Sequence, residues 1–289
     1  MDGRDLPWPA PAKLNLFLHV TGRRADGYHE LQTLFQLLDH GDALRFDLRD
    51  DPRIVRRNPL PGVAEQDDLC VRAAGLLQRE AGCRAGVEIR LDKRLPLGGG
   101  LGGGSSDAAT VLVALNALWG AGLSTDELAE LGLRLGADVP VFVHGHSAWG
   151  EGVGERLTPV EVGSHWYLVL VPPCHVATAE IFKAPELTRD SKPITMPDFL
   201  AGRGRNDCEP VVSARHPEVA EALRQLGGRG RMSGTGACVF AAFDDEQAAR
   251  SAWPSGWQGF VARGIDRSPL LDRLAVERDG MPSSRDAGG

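Results

Sequence analysis

The chain has 289 residues, of which 42% are hydrophobic and 25% charged, and its formal net charge at pH 7 is -7. These values argue against a disordered chain and suit a globular protein of about two domains. The negative charge argues against general binding to nucleic acid or to an anionic membrane, although a local basic pocket for an anionic substrate stays open. The sequence has no apolar run of the roughly 18 residues that a membrane span needs, and no signal-peptide core at its start. Five scattered cysteines without a CxxC pair are interpreted as reduced thiols of a cytoplasmic protein.

The first predicted elements are strands. KLNLFLHV, residues 13–20, alternates with period two, which predicts a half-buried strand with Lys13 and Asn15 on its more polar face. Two more strands are predicted at residues 42–50 and 86–95, and the last of them leads directly into a run of glycines.

A helix follows the glycines. Apolar residues recur at helical spacing over about residues 106–119. Ser105 or Ser106 suits its N-cap, and Asp107 then falls in the first turn, where negative charge is favoured. STDELAELGLRLG, residues 124–136, predicts another helix, because it opens with the Ser-x-x-Glu pattern of a capping box.

From about residue 157 the pattern starts afresh. HWYLVLVPP, ACVFAAF and GFVARG predict strands, while HPEVAEALRQLGG and DDEQAARSAW predict helices. This alternation indicates a second layered α/β unit. We therefore expect a domain at residues 1–156, a second at 157–275, and a disordered polar tail at 276–289.

Three functions are considered for the glycine run 98–104. A flexible linker usually joins domains, whereas this run lies between a strand and a helix. A dinucleotide-binding GxGxxG loop needs an acidic residue about 20 residues further on, where this sequence begins a helix instead. A phosphate-binding loop fits best, because bare backbone N–H groups and a helix N-terminus attract phosphate. A Walker A loop is excluded, since no lysine follows the glycines.

PLGGGLGGGSSDAA resembles the phosphate-binding motif of the galactokinase, homoserine kinase, mevalonate kinase and phosphomevalonate kinase (GHMP) superfamily. PAKLNLFLHVTGRRADGYHELQT, LGADVPVFV and SGTGACVFA resemble its other motifs in the same order, so the likeness extends from about Pro9 to Leu270. The doubled glycine triplet is similar to the branch that phosphorylates the 2-hydroxyl of a cytidine diphosphate derivative of methylerythritol, in non-mevalonate isoprenoid biosynthesis. A homoserine-type or mevalonate-type kinase is the alternative, and a dinucleotide-dependent oxidoreductase is a more distant one.

The resemblance implies an α+β protein with the GHMP-kinase-like fold, in which two layered α/β domains enclose a central cleft. It implies that Asp138 takes the proton from the substrate hydroxyl and that Lys13 stabilises negative charge beside it. It also implies that Tyr28 and Phe182 enclose the cytosine while His29 contacts its edge. The implied ATP-binding residues are Pro96, Leu97, Gly98, Gly99, Gly100, Leu101, Gly102, Gly103, Gly104, Ser105 and Ser106. The implied substrate-binding residues are Asn15, Tyr28, His29, Thr178, Phe182, Gly234 and Gly236.

Some roles stay open at this point. Mg²⁺ would be held mainly through the ATP phosphates and water, and no dedicated metal site is predicted. Asp107 could assist Mg²⁺ or complement the helix dipole, and we favour the dipole. Taken singly, Asp138 could cap its neighbours and Lys13 could be a solvated strand residue; His144 and His146 are interpreted as loop residues. The expected partners are ATP and one small molecule, without nucleic acid or membrane, for a monomer or homodimer.

Overall fold

A ten-stranded mixed sheet runs through the computed structural model, which describes residues 6–279. The strands are β1 (Trp8–Arg23), β2 (His29–Arg49), β3 (Ile54–Arg56), β4 (Gly86–Asp92), β5 (Ala148–Gly152), β6 (Arg156–Pro159), β7 (Trp166–Leu170), β8 (Arg231–Met232), β9 (Val239–Phe243) and β10 (Gly259–Ile265). The helices are α1 (Leu69–Glu80), α2 (Gly103–Leu118), α3 (Thr125–Leu133), α4 (Val139–His144), α5 (Thr178–Lys183), α6 (Met196–Leu200), α7 (Glu209–Arg215), α8 (Pro217–Gln225), α9 (Glu246–Ser251) and α10 (Pro269–Asp279).

The sheet has two parts, which join where β10 meets β2. In the first part β2 pairs antiparallel with β1, β4 and β5, while β3 adds to β4 in parallel. In the second part β7 lies between β9 and β10, and β8 pairs with the outer side of β9. Gly264 and Ile265 of β10 pair with Leu38 and Leu37 of β2, so the sheet is continuous across both halves. The predicted α+β architecture of two layered halves is confirmed.

Separate hydrophobic cores lie under the two halves. The first core packs α1 to α4 against β1, β2 and β4, and the second packs α5, α7 and α8 against β7 and β9. Leu270 of α10 belongs to the first core, so the last described helix returns to the N-terminal half. Val276 to Asp279 form the end of α10 and not the start of a disordered tail. The rest of that predicted tail, residues 280–289, lies outside the described residues.

The strand predicted at residues 13–20 is confirmed within β1, but it is not half-buried. Leu14 is fully buried, and on the opposite face Lys13 and Asn15 are each only 2% exposed. The second face is covered because the glycine loop lies against it, with Leu101 O accepting a 3.0 Å bond from the Lys13 N–H. The more polar face therefore lies inside the protein.

Other boundaries differ from the sequence prediction. β2 begins at His29, thirteen residues before the predicted strand, because the run LQTLFQLL has no clear period-two alternation. α2 begins at Gly103, and its N-cap is Gly102 rather than Ser105 or Ser106. The capping box of Ser124 and Glu127 is present, and the strands and helices predicted after residue 157 are all found.

Candidate active site

The glycine loop 98–104 adopts a backbone that side chains would block. Gly98, Gly100 and Gly102 have φ values of +67°, +74° and +71°. A Cβ atom at Gly100 would lie 2.2 Å from the carbonyl oxygen of Ser233, and one at Gly102 would lie 2.8 Å from the Phe142 ring. Both contacts are too short for real atoms, so glycine is required at these positions by backbone conformation and by space together.

The N-terminus of α2 provides free backbone donors. The first intrahelical bond runs from Ser106 N–H to Gly102 O at 2.8 Å, so the N–H groups of Gly103, Gly104 and Ser105 have no partner within the helix. These residues line a cavity, and the helix dipole places partial positive charge at the same end. The arrangement suits the binding of phosphate.

Lys13 is a fixed ammonium group and not a solvated lysine. Its Nζ donates to Asn15 Oδ1 and to Gly100 O, the second at 3.2 Å, and lies 3.2 Å from Asp138 Oδ2. An ammonium has three N–H donors, and all three are used here. Lys13 therefore connects strand β1, the glycine loop and Asp138 through one buried positive charge.

The carboxylate of Asp138 makes no hydrogen bond that caps a helix. Although Asp138 is the residue before α4, the capping alternative is therefore wrong. The side chain is 36% exposed and faces the cavity with Lys13 as its ion-pair partner. A partly exposed carboxylate beside a fixed cation can accept a proton from a bound hydroxyl.

A second glycine loop, residues 233–236, packs directly on the first. Ser233 Oγ donates to Gly100 O at 2.8 Å and accepts from the Asn15 N–H at 3.1 Å. Gly234 and Gly236 line the cavity with φ values of +56° and +85°. The segment is both a tight turn before β9 and part of the cavity wall.

Aromatic rings lie at the far end of the cavity. The His29 and Phe182 rings stack with centroids 5.0 Å apart and an interplanar angle of 24°, while Tyr28 is 64% exposed. His29 and not Tyr28 therefore lies against Phe182. Tyr28, His29 and Phe182 all line the cavity, so their rings can contact a flat base bound there.

Arg189 donates hydrogen bonds to both residues of this ring pair. Its Nε donates to His29 Nε2 at 3.3 Å, and its remaining nitrogens donate to the carbonyl oxygens of Phe182, Ala184 and Leu187 at 2.6–3.1 Å. Because His29 Nε2 accepts, the ring proton lies on Nδ1. Burial lowers the pKa of His29, and the positive charges of Arg189 and Arg23 lower it further, so His29 is neutral at pH 7.

One cavity of about 970 Å³ contains most of the residues predicted from the sequence. These are Lys13, Asn15, Tyr28, His29, Pro96, Leu97, Gly98, Gly99, Gly100, Gly102, Gly103, Gly104, Ser105, Asp138, Thr178, Phe182, Gly234 and Gly236. Two predicted ATP-binding residues do not line it. Leu101 points into the hydrophobic core, and Ser106 is fully buried within α2 because the helix begins earlier than predicted.

Three positively charged side chains at or beside this site were not predicted from the sequence. Arg23 and Lys183 line the cavity at its aromatic end, where a diphosphate could be neutralised. Arg23 lies in the segment PAKLNLFLHVTGRRADGYHELQT, which also contains Tyr28 and His29, and Lys183 directly follows Phe182. Proximity in sequence to a predicted residue was the available signal. Arg189 carried no such signal, because 160 residues separate it from His29.

Asp107 takes neither of the two roles considered for it. It lies in the second turn of α2, is almost fully buried, and its Oδ2 lies 2.8 Å from Lys93 Nζ. Lys93 also bonds Asp42 Oδ2 at 2.6 Å, and Asp42 Oδ1 accepts from the N–H groups of Arg94 and Leu95. The cluster ties the segment before the glycine loop to the sheet and to α2. It supports the loop from outside the cavity.

Asp107→Asn is expected to change the pH dependence of stability and not catalysis. Burial raises the pKa of Asp107 to about 7, Lys93 opposes this, and the Asp42 carboxylate adds to it. A carboxyl group with a raised pKa in the folded state stabilises the fold fully below its unfolded pKa of about 4, and this contribution is lost as pH rises towards 7. Urea unfolding at about pH 5 and about pH 8 should show that the variant loses less stability than the wild type. Asp92→Asn, at an exposed surface position, is the control; equal pH dependence in all three proteins would contradict the assignment.

Comparison with known proteins agrees with this geometry. Models of the GHMP kinase N-terminal and C-terminal domains match residues 68–146 and 196–257. A protein of Halorhodospira halophila named 4-diphosphocytidyl-2-C-methyl-D-erythritol kinase is 63% identical over 276 residues, covering 93% of this chain and 96% of its own length. The chain belongs to the GHMP kinase family. A protein of the same name from Thiobacillus denitrificans is 62% identical over 270 residues, covering 92% of this chain and 97% of its own.

Solved structures of GHMP kinases share the fold. A crystal structure of 4-(cytidine 5'-diphospho)-2C-methyl-D-erythritol kinase superimposes with a TM-score of 0.77 at 33% identity, covering 90% of this chain and 99% of that one. The mevalonate kinase of Methanococcus jannaschii superimposes with a TM-score of 0.65 at 15% identity, which is evidence for the fold alone. As a GHMP kinase the protein uses ATP and a small-molecule substrate, and the oxidoreductase alternative is not favoured. Within residues 6–279, none of the helices has the length and apolar character required to cross a bilayer.

Proposed function

We propose that this enzyme transfers the γ-phosphoryl group of ATP to the 2-hydroxyl of 4-diphosphocytidyl-2-C-methyl-D-erythritol, a step of non-mevalonate isoprenoid biosynthesis. The observation that carries the proposal is the near full-length identity of 63% with a protein named for that kinase activity. The cavity supports it, since the glycine loop, Asp138 and the rings of Tyr28, His29 and Phe182 line one continuous space.

In the proposed reaction Asp138 is the general base. Its carboxylate takes the proton of the 2-hydroxyl as that oxygen attacks the γ-phosphorus. A bond forms between this oxygen and phosphorus, the bond from phosphorus to the β–γ bridging oxygen breaks, and ADP leaves with that electron pair. Lys13, held by Asn15, Gly100 and Asp138, stabilises the negative charge on the transferred group.

The glycine loop binds the ATP phosphates in this proposal. The free N–H groups at the start of α2 and the αL glycines offer donors without side chains in the way. Asp107, the acidic residue nearest the loop in sequence, is held by Lys93 outside the cavity, so Mg²⁺ would be held mainly by the phosphates and water. Mg²⁺ would neutralise phosphate charge during transfer.

The aromatic end binds the cytidine diphosphate. Tyr28 and Phe182 would contact the faces of the cytosine, and His29 Nδ1–H would donate to an acceptor on its edge, with Thr178 nearby. Arg23 and Lys183 would neutralise the diphosphate. Arg189 acts through His29 and Phe182, which makes it a positioning residue.

We also propose that residues 1–156 and 157–275 are the two domains of the fold, with the cavity between them and the final helix α10 packed on the first. The enzyme is proposed to act in the cytoplasm as a monomer or homodimer.

The function is tested by measuring ADP release from purified protein with Mg-ATP and each of three alcohols. We expect turnover with 4-diphosphocytidyl-2-C-methyl-D-erythritol and none with homoserine or mevalonate. CDP should inhibit by competing with the cytidine substrate, since both would occupy the aromatic end of the cavity. Turnover with homoserine or mevalonate alone would overturn the substrate assignment, and binding of ATP without turnover of any alcohol would overturn the enzymatic one.

Arg189→Lys is expected to raise KM for the cytidine substrate about 10-fold or more while kcat stays within a few-fold, since hydrogen bonds from a charged group contribute about 1.5–3 kcal/mol. Lysine lacks the planar fork that reaches His29 and three carbonyl groups at once. Nuclear magnetic resonance titration of His29 in a second variant, Arg189→Gln, should show a raised pKa, since this change removes a positive charge that adds to the lowering of the His29 pKa by burial.

Arg215→Lys, at an ion pair with Glu186 on the exposed side of α7, is the matched control. An unchanged His29 pKa in Arg189→Gln would contradict the positioning role even if the cytidine substrate proved wrong. An effect confined to KM for ATP would show that Arg189 does not contribute to binding at the cytidine end of the cavity.

A further inference from the structure

A cysteine, a histidine and a glutamate meet outside the cavity, on the C-terminal half. Cys174 lies in the turn that follows β7, His216 immediately precedes α8, and Glu218 lies in the first turn of α8. One ligand atom from each residue, the sulfur, a ring nitrogen and a carboxylate oxygen, lies within 4.8 Å of the other two. Among residues 6–279 this is the one group of three such side chains that comes together in this way.

The three ligand atoms have no other bonding partner in the described part of the chain. None of the three side chains takes part in a hydrogen bond or an ion pair there. Their backbones are held, however: Cys174 N–H donates to Pro172 O at 2.8 Å, and His216 N–H donates to Val212 O at 2.8 Å. His216 occupies the N-cap position of α8 without capping it through its side chain. The positions of the ligand atoms are thus restrained while their lone pairs stay free.

The donor set selects the kind of ion. Thiolate sulfur, imidazole nitrogen and carboxylate oxygen are the zinc ligands of proteins, and a site with three protein ligands leaves the fourth tetrahedral position to water. Ordinary zinc–ligand distances place the donors about 3.5 Å apart, so small side-chain rotations close the present arrangement. Mg²⁺ prefers oxygen ligands in octahedral geometry, so the magnesium that accompanies ATP would not compete here. Cys174 and His216 are half-buried and Glu218 is exposed, which leaves a path for the ion.

We infer that Cys174, His216 and Glu218 form a binding site for a thiophilic divalent cation, represented by Zn²⁺. The ion joins the turn after β7 to the start of α8. The next residue, His175, packs its ring 2.8 Å from the position that a Cβ atom of Gly98 would take. Occupancy therefore restrains the turn that supports the outer side of the glycine loop, and it stabilises the folded chain because the unfolded chain has no preformed site.

The test uses the full chain after removal of metals with a chelator and reduction of its thiols. Titration with Co²⁺ should produce one equivalent of tetrahedral cobalt, with a sulfur-to-cobalt charge-transfer band in the near ultraviolet. Addition of Zn²⁺ should abolish that spectrum and raise the melting temperature. A cobalt spectrum without the charge-transfer band, or without saturation at one equivalent, would overturn the inference.

Variants test whether the cobalt spectrum and the Zn²⁺ affinity depend on the proposed ligands. Cys174→Ser should remove the charge-transfer band, and Glu218→Gln should lower Zn²⁺ affinity by at least the roughly 10–100-fold that loss of an outer-shell partner alone produces. Cys83→Ser is the matched control, since Cys83 is also half-buried but lies in the N-terminal half. Retention of the band in Cys174→Ser, or its loss in Cys83→Ser, would overturn the assignment.

Discussion

Asp138→Asn is expected to lower kcat by about 10²–10⁴-fold, the range typical for loss of a positioned general base. Asparagine has nearly the same shape but accepts no proton from a hydroxyl. The KM for ATP should stay within a few-fold, because the loop donors do not involve Asp138. Steady-state kinetics with both substrates varied separates the two effects.

Asp26→Asn is the control for this variant. Asp26 lines the same cavity, and its Oδ1 accepts from the Tyr28 N–H at 3.0 Å, a bond that an asparagine oxygen can also make. We expect its kcat to stay within a few-fold of the wild type. Normal turnover by Asp138→Asn, or an equal loss in both variants, would show that Asp138 is not the base.

Gly100→Ala is expected to destabilise the fold by about 2–4 kcal/mol and to lower kcat/KM for ATP at least about 10-fold. The methyl group would lie 2.2 Å from Ser233 O, so either the glycine loop or the loop 233–236 must move. Movement of the first loop displaces the Gly100 carbonyl that accepts from Lys13. Urea unfolding and ATP kinetics measure the two losses.

Gly120→Ala separates the steric contact from the backbone strain. Gly120 has φ +64°, close to the +74° of Gly100, but nothing lies within 4 Å of its added Cβ. Its loss of stability should be about 1–2 kcal/mol, the cost of the left-handed conformation alone, with activity unchanged. Equal losses in both variants would mean that the packing of the two loops contributes nothing.

The residues that carry the chemistry were predictable where a local pattern places them. Period-two alternation puts Lys13 and Asn15 on one face of β1, and glycines before a helix predict a phosphate loop. The GHMP resemblance added Asp138, which no local pattern distinguishes from a capping residue. The order of the predicted strands and helices indicated layered α/β units, and the GHMP resemblance implied the α+β fold. The sequence analysis did not predict α1, α4 to α7, α10, β3, β5, β6, β8 or the first part of β2.

What could not be predicted depends on contacts between distant segments. Asp107 seemed to lie in the first turn of α2, but Gly102 caps the helix and Lys93 holds the carboxylate inside the protein. The polar face of β1 is buried because the glycine loop and the loop 233–236 cover it. Neither periodicity nor capping rules contain such information, since both describe one element at a time.

The most direct test of the proposed reaction is the proton-coupled phosphorus spectrum of the product formed from Mg-ATP and 4-diphosphocytidyl-2-C-methyl-D-erythritol. The carbon that bears the 2-hydroxyl also bears the methyl group and has no hydrogen. Transfer to that hydroxyl therefore predicts one new phosphomonoester signal without splitting by a proton on the ester carbon, formed in equal amount with ADP. A new signal split by such protons would place the phosphate on another hydroxyl, and ADP without a new signal would mean hydrolysis; either result would contradict the account.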